Sequence, residues 1–153
     1  MTVWRIAGRG HVPLDGEGPR LYGSRWTSRG LPAVYASATL SLAALERFVH
    51  TDPDLEPADL VAVGVEIKAS IRIEAVAVSD LVPNWREYPT PAELTSIGDR
   101  WLRDARSVAL SVPSVVIPRE RNFIINPAHR DFGKLAVTAS EPFAFDPRLW
   151  KAR

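Results

Sequence analysis

At 153 residues the chain has the length of one ordinary domain, and its 46% hydrophobic and 24% charged content is that of a globular protein, not a disordered one. It contains no cysteine, which excludes a disulfide scaffold, a Cys-ligated zinc site and a Cys nucleophile together. The net charge of +1 excludes a global pull toward nucleic acid or an anionic membrane, although 16 of the 19 basic residues are Arg, the side chain suited to bidentate capture of carboxylate or phosphate.

Along the chain, Gly8 to Arg20 carries four glycines and two prolines and reads as a flexible loop. It lacks the strand-turn-helix context of a dinucleotide fingerprint and the GK[ST] ending of a P-loop. Leu31 to Ala36 carries Val34 and Tyr35 into a short strand, and Ser37 or Thr39 can cap a helix running to about His50. Thr51 to Ala58, with two Pro and three acids, reads as a turn. Leu60 to Ile67 and Ser70 to Val78 are strand-like runs, the second with one wet face.

Thr90-Pro91-Ala92-Glu93 has the form of a capping box with Pro at the first helical position. The helix after it sets Leu94, Ile97 and Trp101 on one side and ends near Arg106. Four short apolar runs follow, Val108 to Val112, Val115 to Ile117, Phe123 to Ile125 and Leu135 to Val137, separated by turn signals. Several strands and two main helices that do not alternate one for one predict an α+β domain with a mostly antiparallel sheet. No segment approaches the roughly 18 apolar residues of a membrane span, and Met1 to Arg5 does not read as a signal peptide. A mature cytoplasmic protein of one domain, 1–153, is expected.

Glu46 is the most informative single residue. On the helix Leu40 to Val49 it lies among Leu42, Leu45 and Val49, an apolar stripe on which a carboxylate is paired, solvated in a cleft, or shifted toward neutrality. The plainer alternative is a Glu at the edge of the stripe that reaches water. Arg25, within Gly23-Ser24-Arg25-Trp26, and Tyr35 can converge on Glu46 if two strands and a helix surround one cleft. Such a set suits an anionic ligand with a ring. Spacing alone also allows all three to do structural or surface work.

Ser111 and Ser114 bracket a Pro beside a buried strand and can donate hydroxyls into a cleft or satisfy the strand end. Asn122 and Asn126 read as turn residues, and Arg119 with Arg121 as a charged rim. RNA binding there is disfavoured by the near-zero net charge and the lack of interleaved aromatics. His11, His50 and His129 have no metal-ligand spacing, and no GxSxG elbow is present, so metal and serine hydrolysis are not expected.

Trp4-Arg5-Ile6, Tyr22-Gly23-Ser24-Arg25-Trp26, Pro32 to Ala36 and Leu42-Ala43-Ala44-Leu45-Glu46 resemble, in order, the motifs of the RES domain. Val112-Pro113-Ser114 and Asn122 to His129 resemble those of its second half, so the resemblance spans Val3 to Leu149. The family's defining Arg, Glu and Ser match Arg25, Glu46 and Ser114. The chain departs from the pattern at Ser24, where a second Gly is common, and at Thr27, where Asn is frequent.

The resemblance implies an ADP-ribosyltransferase-like fold, with two small antiparallel sheets around an NAD cleft. It implies a toxin of a bacterial toxin–antitoxin pair that consumes NAD as substrate, without a metal. It implies an Xre-like helix-turn-helix antitoxin whose C-terminal part covers the active site. Arg25, Tyr35, Glu46 and Ser114 are the expected catalytic set. Arg5, Arg25, Tyr35 and Ser114 are expected to touch NAD. Direct nucleic-acid or membrane binding is not expected. Transfer of ADP-ribose to a protein, or a non-catalytic nucleotide- or partner-binding module, are the alternatives.

Overall fold

The computed structural model describes residues 1–52 and 57–150. Seven strands run in chain order: β1 (Thr2–Gly8), β2 (Val34–Ser37), β3 (Leu60–Glu66), β4 (Ile73–Ala75), β5 (Ala109–Pro113), β6 (Arg121–Ile125) and β7 (Ala136–Phe143). Three α-helices accompany them, α1 (Glu17–Tyr22), α2 (Leu40–Val49) and α3 (Ala92–Asp104). The α+β class and the mostly antiparallel pairing follow the expectation, and among the described residues only β4 and β5 pair in parallel.

The number of sheets does not. All seven strands belong to one sheet in the order β4-β5-β6-β2-β1-β3-β7. Its two halves, β4-β5-β6-β2 and β1-β3-β7, meet at β1–β2 through the one register pair Trp4–Ser37. By contrast β1 pairs with β3 along its whole length, from Thr2–Glu66 to Gly8–Leu60. A single bridge suffices to make one sheet of what the motifs imply as two.

Paired residues share a face, and successive residues of a strand alternate. Trp4, Ser37, Asn122 and Val112 therefore line one face through their pairings. Val3, Val34, Ala36, Val63, Phe123 and Ile125 build a buried cluster on the other. Two covers pack on the first face. α2 lies over β1 and β2, where Ala43, with Leu40, Ala44 and Phe48, joins Ile6, Leu60, Ala62 and Phe145. α3 lies over the other half, where Leu94, Trp101 and Leu102 join Trp26, Leu110, Val112 and Ile124. The row Ser37–Asn122 lies between the two covers.

Several local expectations change. Gly8 to Arg20 leads into α1, which begins at Glu17 and is closed after Tyr22 by Gly23 in the φ > 0 region that glycine tolerates. The cap of α2 is Thr39, whose hydroxyl accepts from the Leu42 N–H at 3.1 Å. The capping box at Thr90 does not form: Pro91 has an extended ψ of 136°, so the helix starts at Ala92 with a cap residue that has no side-chain acceptor. Val115 to Ile117 is a bend, not a strand, and β7 runs six residues beyond Val137. Of the turn expected at Thr51 to Ala58, residues 53–56 lie outside the described residues. No helix among the described residues is long and apolar enough to cross a membrane.

α3 approaches the chain before β2 very closely. A Cβ built on Gly98 would stand 1.8 Å from the Trp26 carbonyl oxygen. One turn face of α3 thus clamps the backbone next to Arg25, and only glycine permits it. Gly98→Ala is expected to force helix and loop apart and to lower stability by about 1–3 kcal/mol, read as a lower urea midpoint with an unchanged slope.

Candidate active site

Glu46 projects from α2 toward the strand ends, as its helical position suggested, but the stripe around it was misread. Leu42 is buried, whereas Leu45 and Val49 are 43% and 54% exposed. The apolar face of α2 is set by Leu40, Ala43, Ala44 and Phe48, because small alanines let the helix approach the sheet. Glu46 stands at the border between this face and solvent, half-buried.

Two donors meet one of its oxygens. The Ser114 hydroxyl donates to Glu46 Oε1 at 2.7 Å, and the Asn122 amide Nδ2 donates to the same atom at 2.5 Å. Ser114 follows β5 and is fully buried. Its Oγ also accepts from the backbone N–H of Val116 (3.1 Å) and Ile117 (3.0 Å). The 115–117 segment bends because it wraps this hydroxyl. Ser114 has one proton and gives it to Glu46, so its geometry is that of a group that orients the carboxylate.

Arg25 approaches from the loop clamped by α3. Its Nη1 donates to the carbonyls of Trp85 (2.9 Å) and Glu87 (3.2 Å), which fixes the guanidinium without neutralising it. Burial lowers its pKa from the ordinary value and the negative charge of Glu46 pushes it back up, so Arg25 remains a cation within Coulombic reach of that carboxylate. No ion pair joins the two among the described residues.

Tyr35, on β2, sits under the same loop and serves it. Its hydroxyl bonds with the Ser24 Oγ and, at 3.3 Å, with the Thr27 Oγ1. Ser24 Oγ and Thr27 Oγ1 are also bonded to each other at 2.8 Å. The two positions at which the motif departs, Ser24 and Thr27, thus supply the side chains that surround this phenol. Burial pushes the phenol up to about 12, so it is a neutral O–H throughout the physiological range. The loop is tied from its far side by Asp99 of α3, which accepts from the Ser28 N–H at 2.8 Å.

Ser114 is therefore bonded to Glu46, Arg25 lies within Coulombic reach of that carboxylate, and Tyr35, on the same sheet face as Ser37 and Asn122, holds the Arg25 loop. Arg5 does not join them. On β1, one residue from Trp4, it pairs with Val63 of β3 and so points to the opposite face. There its guanidinium donates to the carbonyls of His11 (3.0 Å) and Pro13 (3.4 Å) and anchors the Gly8–Arg20 segment. Burial lowers its pKa, with Asp15 opposing that shift. Arg121 is likewise no surface rim: its Nε donates to Ser111 Oγ at 2.9 Å and its Nη2 to the carbonyls of Val76 and Ser111. The residue that sequence reasoning missed is Asn122, read as a turn. The available signal was period two: Asn122 shares a strand face with Ile124, and a polar amide on a buried face needs a partner.

The RES domain model matches residues 2–146. Among curated proteins, the chain is 36% identical over 153 residues to "Toxin Res" of Yersinia enterocolitica, covering 97% of this chain and 99% of that protein. It is 32% identical over 154 residues to the "Prs ADP-ribosylating toxin" of a Sphingobium species, covering 97% and 96%. Among solved structures, it superposes on a chain of the M. tuberculosis MbcT-MbcA toxin-antitoxin complex with a TM-score of 0.73, covering 98% of this chain and 86% of that one at 16% identity.

The buried phenol generates a pH test. A group held above its ordinary pKa of 10.0 contributes stability that is complete below that value and is lost as pH rises through about 12. Wild-type unfolding free energy is expected to fall over this window, and Tyr35→Phe to fall less. Equal slopes for the two proteins in denaturant titrations would show the phenol to be unperturbed.

Proposed function

We propose, since this chain belongs to the RES domain family, that it is the toxin of a bacterial toxin–antitoxin pair and acts by cleaving the nicotinamide–ribose bond of NAD. The observation that carries this reading is the carboxylate of Glu46 beside the cation of Arg25, each held by its own hydrogen bonds and neither neutralised by the other. The leaving nicotinamide is already cationic, so bond cleavage needs little acid catalysis. It needs a fixed negative charge where the ribose becomes oxocarbenium-like, and Glu46 supplies one with no reorganisation. Arg25 would take the pyrophosphate, its unbonded nitrogens presenting a planar donor edge. The Tyr35 ring would pack against the nicotinamide end, while its hydroxyl holds the Arg25 loop. Ser114 would keep Glu46 aimed.

Water or phosphate is the acceptor in this reading. Transfer to a protein uses the same residues and is favoured as a second reading by the ADP-ribosylating activity in the name of the Sphingobium relative. An antitoxin that covers the cleft suits the exposed apolar ridge of Leu45 and Val49, which borders Glu46 on α2. Xre-like helix-turn-helix identity for that partner rests on the family resemblance.

Product analysis after incubation with NAD decides the reaction. Free ADP-ribose marks hydrolysis, and a phosphorylated ADP-ribose formed on adding phosphate marks phosphorolysis. Label on protein marks transfer, and unchanged NAD supports the binding module and sinks the enzyme reading. Glu46→Ala is expected to lower kcat by at least about 100-fold, and Arg25→Ala to act mainly by raising KM. Wild-type turnover by Glu46→Ala would remove the carboxylate from the mechanism. For the partner, Leu45→Glu with Val49→Glu is expected to weaken antitoxin binding by at least about tenfold in a pull-down titration, with NAD turnover kept.

A further inference from the structure

The way Glu46 is held divides its two oxygens. Both protein donors, Ser114 Oγ and Asn122 Nδ2, go to Oε1. Oε2 receives none from the described residues, which leaves it as the oxygen turned to a ligand. The orientation of the Asn122 amide is what permits this. With its ends exchanged, Asn122 would set a carbonyl oxygen against the carboxylate and repel it.

That orientation is itself held. Asn122 stands directly opposite Ser37 in the β2–β6 register, and the Ser37 hydroxyl donates to Asn122 Oδ1 at 2.8 Å. Ser37 is 4% exposed, so water competes little for that proton. Ser37 also forms the lone pair with Trp4 that joins the two halves of the sheet. The chain Ser37 → Asn122 → Glu46 therefore runs from the seam of the sheet to the carboxylate.

We propose that Asn122, locked by Ser37, is a positioning residue that selects which oxygen of Glu46 meets the substrate. It rests on the reading of Glu46 as the charge-stabilising group, and it touches the carboxylate and no reacting atom. Losing it lets the Glu46 side chain rotate, and a small misplacement of a catalytic group is costly in rate. In the proposed reading Arg25 and Tyr35 carry most of the ground-state binding of NAD, so the loss is expected to fall on kcat.

The sequence makes a direct test practical, since the chain has three Asn and no Gln, so three side-chain amide pairs in all. In 15N-labelled apo protein, one of the three pairs is expected to move in Glu46→Ala and again in Ser37→Ala, with the other two unchanged. In kinetics, Asn122→Ala is expected to lower kcat about 10- to 100-fold with KM within about threefold, and Ser37→Ala to lower kcat less. Asn122→Asp, close in shape but with no donor for Glu46 when ionised, is expected to lose as much as Asn122→Ala.

Three amide pairs that stay in place in Glu46→Ala overturn the hydrogen bond. A wild-type kcat in Asn122→Ala, or a loss in KM alone, overturns the positioning role, as does a lowered melting point with normal turnover per folded molecule. If wild-type protein leaves NAD intact, the reading of the reaction falls, while the amide signals still decide whether Asn122 holds Glu46.

Discussion

A carboxylate half withdrawn from water must recover in hydrogen bonds what it loses in hydration. Glu46 recovers it from two strands at once, through Ser114 after β5 and Asn122 on β6. Much of the surrounding architecture follows from that requirement. α2 must sit close enough for a Glu side chain to reach the strand ends, which its alanines allow. The chain after β5 must bend so that Ser114 is anchored by two backbone N–H groups. β2 and β6 must pair in the register that sets Ser37 against Asn122.

The cation opposite obeys a different rule. Arg25 keeps its charge under any of these conditions, so the problem is position, not protonation. Its loop is fixed from three sides: by the Tyr35 hydroxyl beneath, by Asp99 on α3, and by the carbonyls of Trp85 and Glu87 that receive the guanidinium. The close approach at Gly98 makes α3 and the loop one rigid unit. Among the described residues the two opposite charges form no ion pair with each other, and each is held by neutral hydrogen-bond partners.

Much of this was legible in the chain. Helical spacing directed Glu46 inward, although the stripe used to argue it was wrong: Leu45 and Val49 face solvent while Ala43 and Phe48 face the core. Periodicity reports that a helix has an apolar side, but where apolar residues exceed what a narrow contact can bury, it does not report which of them are covered. Asn122 was hidden for the opposite reason, since an Asn near a Pro-rich segment is a good turn residue by local rules and tertiary pairing overrode them. Arg5 shows the limit of motif order. It lies in a matching motif, yet strand alternation turns it to the far face.

The amino-acid sequence determined the α+β class, the two main helices and the family, because propensity, periodicity and motif order act locally along a chain. The tertiary structure alone decided that the sheet is continuous through Trp4–Ser37, that Arg5 is excluded, and that Ser37 and Asn122 stand behind Glu46. Those facts depend on strand register, which couples residues 85 positions apart, as Ser37 and Asn122 are. A one-residue slip in that pairing would carry Asn122 to the opposite face of the sheet, and no local feature of the sequence records the difference.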